Sequence, residues 1–191
     1  MTSVSVRTSR LSATASEPAA APRLACRPAA SAAELAAHFR IRRQVFVVEQ
    51  GLFRGGRGGP GGPADCRPGD DRDARDDDPA TIHVIGLVDG DICGAVRLYP
   101  LGSRDGQWQG DRLAVLAECR RHGIGAPLVH FAVAEAGARG GREMEAFIQP
   151  ANVTFFEWLG WRRAGGLVTY AGIDHQRMVI GLAGRPARSP S

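Results

Sequence analysis

Between positions 23 and 183 the chain switches repeatedly between two hydrophobic rhythms, one of period two and one near four, and the switching predicts its elements. Leu24, Cys26 and the residues beside them suggest a short first strand. Ser31-Ala32-Ala33-Glu34 has the spacing of a capping box, and the helix it opens runs through Arg43 with Leu35 and Phe39 toward the core. The apolar run Val45 to Gln50 reads equally as a second short helix or an extended turn. Thr81 to Val88 and Ile92 to Tyr99 are strand-like, and Asp89-Gly90-Asp91 between them is a hairpin signal. A further strand runs through Arg112 to Leu116, and a helix from Pro127 to Ala138 ends at Gly140-Gly141. Met144 to Ile148 is a strand and Asn152 to Leu159 a short helix; Trp161 to Tyr170 and Gln176 to Leu182 are two final strands. The order β-α-(α)-loop-β-β-β-α-β-α-β-β predicts a mixed α/β sheet of about seven strands flanked by about four helices.

Residues 51–79 break the rhythm. Six glycines and two prolines lie between Gly55 and Pro63, and Asp65, Asp70, Asp71, Asp73, Asp76, Asp77 and Asp78 follow. Such a stretch cannot bury a core and predicts a long, mobile, solvated acidic loop. The aspartates lack the Gly and Glu spacing of a calcium loop, so no metal site is expected. Residues 1–22, rich in Ser, Ala, Thr and Pro, predict a disordered leader, and 184–191 a disordered tail, which leaves one domain over 23–183.

Composition narrows the chemistry. The 191 residues carry 24 basic and 20 acidic side chains, and every basic one is arginine, which excludes a Schiff-base lysine. The arginines are scattered, so nucleic acid is not an expected partner. No run of about 18 apolar residues suggests a membrane span. Cys26, Cys66, Cys93 and Cys119 show no metal-ligand spacing and read as reduced thiols of a cytoplasmic protein.

The segment Arg120-Arg121-His122-Gly123-Ile124-Gly125-Ala126 lies between a strand and a helix start. Glycines there let main-chain N–H groups approach an anion, and the helix dipole favours it. The third glycine of a dinucleotide fingerprint is missing, and so is the lysine of a P-loop, so a phosphate ligand of another kind is expected.

Arg120-x-x-Gly123-x-Gly125 resembles the Q/R-x-x-G-x-G/A signature of the GNAT N-acetyltransferases. Asn152 to Trp161 is similar to their second CoA-contacting segment, and Arg43-Gln44-Val45-Phe46-Val47-Val48-Glu49-Gln50 to the opening of a GNAT branch related to acyl-homoserine-lactone synthases. The resemblance implies a GNAT-like fold and direct acyl transfer from acetyl-CoA to the amine of a small molecule, without a metal. It implies CoA contacts from Arg120, Arg121, His122, Gly123, Ile124, Gly125 and Ala126. Leu113, Val115, Asn152, Phe155 and Phe156 are expected to add to them, with a main-chain N–H near Val115 polarising the thioester. The family's usual tyrosine acid is replaced by Phe156, which cannot donate a proton. Glu49, in an apolar stretch that would raise its pKa, and His83 are the base candidates, and of the two tyrosines, Tyr99 and Tyr170, Tyr170 is the phenol that could reach the site. A non-catalytic acyl-CoA-binding domain and an acyl-homoserine-lactone-synthase-like enzyme are the alternatives. A homodimer is compatible with the sequence.

Overall fold

The computed structural model describes residues 21–53, 69–102, 106–170 and 172–183, with the side chain of Tyr170 outside that description. The expected leader up to residue 20, the tail from 184 and the glycine-rich stretch 54–68 also lie outside it.

Seven strands form one mixed sheet, as the alternation predicted. They are β1 (Leu24–Pro28), β2 (Ile82–Val88), β3 (Asp91–Pro100), β4 (Gln107–Val115), β5 (Glu143–Ile148), β6 (Arg162–Tyr170) and β7 (Ile173–Gly181). Their order is β1-β2-β3-β4-β5-β7-β6. Every pairing is antiparallel except β4 with β5, which are joined by the crossover helix α2 (Gly125–Ala138).

Adjacent residues of a strand face opposite sides of a sheet, and β3 shows what covers each side. Val96 and Leu98 join an apolar cluster with Leu128, Val129 and Ala132 of α2, together with Met144 and Met178. Ala95 packs instead with Ile41 and Val45. Helix α1 (Ala32–Arg42) therefore covers the face opposite α2. Helix α2 comes very close to the sheet: a Cβ at Gly94 would lie 2.7 Å from Leu128 Cδ1. Glycine at 94 therefore leaves room for α2 to pack this closely.

At the start of α1, Ser31 Oγ accepts from Glu34 N–H at 3.2 Å, which is half of the expected capping box. The Glu34 carboxylate reaches past Ser31 to Ala30 N–H at 2.7 Å and to Arg27. The inward stripe of α1 is Ala37, His38, Ile41 and Arg42, while Leu35 and Phe39 are only half-buried, a correction to the expected stripe. Phe39 lies between the guanidiniums of Arg42 and Arg72, with its ring centroid 5.2 and 4.2 Å from them. The helix continues without a break into a π-helical segment, Arg43–Glu49, which settles the ambiguous apolar run as helical.

The acidic stretch is the main departure from expectation. Asp71, Asp73 and Asp76 are buried, not solvated, and Ala74–Asp77 is a turn of 3₁₀-helix. Arg42, fully buried, donates Nε to Asp71 at 2.6 Å and both Nη atoms to the Asp76 carboxylate. Arg97 spans Asp73 at 2.6 Å and Asp111 at 2.6 Å, and Arg112 reaches Asp73 at 3.0 Å. A buried charge survives only when paired and hydrogen-bonded, and Arg42 and Arg97 each use Nε and both Nη atoms. Burial pushes the Asp76 carboxyl up, but the Arg42 hydrogen bond and charge outweigh it and hold the group well below the usual range. Burial dominates at Asp71 and raises its pKa despite Arg42.

Candidate active site

The route from β4 to α2 is built to expose main chain. Leu116 N–H donates to Cys93 O at 3.0 Å, and the chain then makes the 3₁₀ turn Ala117–His122. Gly123 ends that turn in the left-handed region, φ 76°, where a side chain would be strained. The Ile124 side chain is completely buried and anchors the turn from beneath. The first intrahelical bond of α2 is Leu128 N–H to Ile124 O at 3.1 Å, so the N–H groups of Gly125 and Ala126 stand ahead of it, and Pro127 has none. A Cβ on Gly123 would meet nothing within 4 Å, and one on Gly125 would touch only Phe155 Cζ at 3.8 Å and Val115 Cγ2 at 4.0 Å. The surface between them is open main chain at a helix start, which suits an anion.

Arg120 and Arg121 flank this surface and are exposed. Arg120 donates Nε to Val115 O at 3.1 Å and Nη2 to Glu49 at 2.6 Å. Arg121 Nε donates to His122 Nε2 at 3.2 Å.

Strands β4 and β5 pair only at Gln107↔Glu143, Trp108↔Met144 and Gln109↔Glu145. Beyond those residues the two strands separate. Strand β4 bends there at a bulge, where Arg112 and Leu113 stand opposite the single residue Val96 and Arg112 takes φ 53°. After the bulge, Leu116 N–H and its neighbours define which way the backbone points. The N–H and C=O of one strand residue point to the same side, and successive residues alternate. Leu116 N–H faces β3, so Val115 N–H and C=O face the gap left by β5.

A cavity of about 510 Å³ fills the split. On the α2 side it is apolar, lined by Val129, Ala132, Met144, Ile148, Phe156 and Trp161. On the α1 side it is polar, with Arg97, Tyr99, Asp111, Arg112 and His175, beside Phe46 and Gln50 of the π-helical end.

The expected CoA-contacting residues converge here. Leu113, Asn152 and Phe156 line the cavity, Phe155 underlies Gly125, and Val115 lies at the top of the split. Helix α3 (Val153–Trp158) carries the aromatic pair: the Phe156 ring meets Phe155 and Trp161 edge to face, centroids 5.5 and 5.4 Å apart.

Of the three candidate catalytic residues, Glu49 and His83 do not line the cavity. Glu49 is exposed, and its hydrogen bond to Arg120 lowers its carboxyl pKa, the reverse of the expected elevation. His83 stands outside the cavity lining, with Nε2 donating to Asp76 O at 3.2 Å and its ring against His38. Burial lowers its pKa. Tyr170 ends β6, and its side chain lies outside the described atoms.

His175, Asp111 and Tyr99 line the cavity, together with Asp73 and the arginines Arg75, Arg97 and Arg112, and the sequence did not single out His175, Asp111 or Tyr99 for it. His175 Nδ1 donates to Ile173 O at 2.8 Å, which places the ring proton on Nδ1 and the lone pair on Nε2. Burial lowers its pKa, so the ring is neutral near pH 7. Burial also raises the Tyr99 phenol, with Asp111 adding to the effect, and keeps it protonated. Burial works against the Asp111 charge too, but the Arg97 guanidinium outweighs it and lowers that carboxyl pKa.

The sequence model of the acetyltransferase (GNAT) family matches residues 58–161. Similar solved structures include an acyl-CoA N-acyltransferase from Pseudomonas aeruginosa, 21% identical with TM-score 0.63, covering 82% of this chain and 98% of that one. ElaA of Escherichia coli is 17% identical with TM-score 0.64, covering 83% and 98%. The CoA-dependent acyl-homoserine lactone synthase BjaI, solved with SAM and isopentyl-CoA, is 18% identical with TM-score 0.63, covering 84% and 83%. At these identities the likeness is one of fold. No curated protein matches the chain by sequence. The family match spans more than half of the chain: the chain belongs to the GNAT family and is an acyltransferase.

Proposed function

We propose that the chain transfers an acetyl group from acetyl-CoA directly to the amine of a small-molecule acceptor. The observation that carries this reading is the alignment of the open main chain at Gly123–Ala126 with the gap between β4 and β5. A pyrophosphate seated on the N–H groups of Gly125 and Ala126, between Arg120 and Arg121, would direct a pantetheine arm into the split. The thioester carbonyl then lies near Val115 N–H, a donor aimed at the charge that develops as the amine attacks.

The acceptor enters from the polar, α1-side mouth. Its attack forms the amide C–N bond and breaks the C–S bond to CoA. The amine loses one proton and the departing thiolate gains one, so no further reagent is needed. His175 Nε2 carries the lone pair suited to take that proton, and water relays it to sulfur in place of the phenol that Phe156 lacks. The acidic and basic residues beside His175 favour a small polar acceptor over an apolar one.

Incubating the protein with acetyl-CoA and a panel of small amines, with free thiol followed over time, tests the reading. Amine-dependent thiol release is the expected result. CoA binding in calorimetry with no release across a broad panel would contradict transfer to a small amine.

A further inference from the structure

We propose that Cys93 and Cys119 are a cystine-forming site, where a low-molecular-weight disulfide such as oxidised glutathione cross-links the root of the phosphate-binding turn to β3. The two sulfurs lie 2.6 Å apart and both side chains are buried. Carbon atoms in contact rest at about 3.5–4.0 Å, and sulfur is larger; a bonded S–S pair rests at about 2.05 Å. The observed separation is nearer the bond than the contact.

The backbone around the pair is already tied in place. Cys93 is the extra residue at a bulge in β3, between the pairs Gly86↔Gly94 and Leu87↔Ile92, and its carbonyl accepts from Leu116 N–H. Cys119 lies in the 3₁₀ turn, with its N–H on Leu116 O at 2.9 Å. Closing the bond asks the sulfurs to approach by roughly half an ångström. The turn that ends at Gly123 keeps its shape, so the cross-link acts as a brace and not as a lock on the site.

The chemistry is thiol–disulfide exchange. One protein thiolate attacks the small disulfide, giving a mixed disulfide and releasing one small thiol. The second protein sulfur then displaces the other small thiol and forms the Cys93–Cys119 bond. Two protein S–H bonds and one small-molecule S–S bond are lost. One protein S–S bond and two small-molecule S–H bonds are gained, so the small disulfide is reduced and the protein oxidised. Burial, then the hydrogen bond with Cys119, pushes the Cys93 thiol up to about 12, so exchange quickens with rising pH. Cys26 is a separate, half-buried thiol on β1, pushed up to about 11 by burial, and Cys66 lies outside the described residues.

The test uses the whole chain, incubated with oxidised glutathione at mildly alkaline pH, trapped with N-ethylmaleimide and mapped by peptide mass spectrometry. The expected product has lost about 2 Da, joins the peptides of Cys93 and Cys119, and leaves Cys26 alkylated. Its Tm rises by roughly 5–10 °C and returns on reduction with dithiothreitol. The Cys93→Ala/Cys119→Ala variant shows no such rise, and if that variant does not fold, the oxidised and reduced wild type still give the comparison. Acetyl-CoA affinity of the oxidised protein stays within threefold of the reduced. A stable glutathione adduct on either residue, a link to Cys26 or a lower Tm on oxidation overturns the proposal. None of the mass or melting readouts depends on acetyl transfer, so this proposal and the proposed function fail separately.

Discussion

Arg120 and Glu49 meet at 2.6 Å although they are 71 residues apart, and the contact ties the end of the π-helical segment to the turn proposed to seat phosphate. A carboxylate beside a phosphate site opposes the anion while it orients the arginine. Glu49→Gln separates these effects, because glutamine still accepts from Arg120 but carries no charge. An exposed pair is worth up to about 1 kcal/mol, so Glu49→Gln is expected to lower KM for acetyl-CoA by about two- to fivefold with kcat within twofold. Arg120→Ala loses a charge-assisted bond and is expected to raise KM by about tenfold or more. Steady-state kinetics at low salt reads both, and a KM that rises for Glu49→Gln contradicts this role.

Gly125→Ala is the mild change, since its methyl group would rest in ordinary contact with Phe155 Cζ at 3.8 Å and Val115 Cγ2 at 4.0 Å, and the family signature admits Ala at that position. Acetyl-CoA affinity is expected to stay within about threefold of wild type, with Tm within about 2 °C. Gly123→Ala differs, because the residue is at φ 76°. It is expected to lose about 1–2 kcal/mol of stability. Calorimetry and thermal melting on the two variants check both outcomes, and a loss of affinity of about tenfold or more in Gly125→Ala would contradict the first.

His175 gives the pH dependence. If its neutral ring takes the proton, kcat rises with pH through an apparent pKa below the ordinary value of 6.5, because burial lowers it. His175→Gln is expected to lower kcat by about a hundredfold, with KM for acetyl-CoA nearly unchanged, and to remove that limb of the profile. A profile that keeps the same limb in the variant assigns it to another group.

The arginine–aspartate network is a test of stability. Arg42→Met leaves the Asp71 and Asp76 carboxylates buried without their main partner and is expected to cost about 3–5 kcal/mol in urea unfolding. The wild type carries a pH signature. The Asp76 and Asp111 pKa values are lowered on folding, so the stability these groups contribute is present above the ordinary carboxylate pKa and is lost as pH falls through their folded values. Asp71 has a raised pKa, takes its proton earlier in the folded state and works in the opposite sense over its own range. Net acid destabilisation below about pH 4 is expected, with denaturant midpoints against pH as the measurement.

The strands, the crossover and the glycine turn ahead of α2 were legible because each depends on neighbours a few residues away. Gly123 and Gly125 before Pro127 suggest a bare helix start once a strand is read ahead of them. The network was not legible because its partners come from separate segments: Arg42 from α1, Asp71, Asp73 and Asp76 from the acidic stretch, Arg97 and Arg112 from β3 and β4. A run of aspartates looks solvated until the arginines that bury it are in place. Glu49 misled for the same reason, since its apolar neighbours suggested burial while its partner lay far along the chain. His175 reaches the cavity through the register of β7 against β5 and β6, and Arg112 through a bulge, and neither a register nor a bulge is written in hydrophobic periodicity.

Titration calorimetry of the purified chain with acetyl-CoA, alongside acetyl-pantetheine as the same thioester arm without its phosphates, is the most direct test of the cradle at the start of α2. Saturable one-to-one binding of acetyl-CoA, at least about a hundredfold tighter than acetyl-pantetheine, is predicted from the charge-assisted bonds the pyrophosphate would make. Equal affinity for the two, or no binding of either, would contradict it.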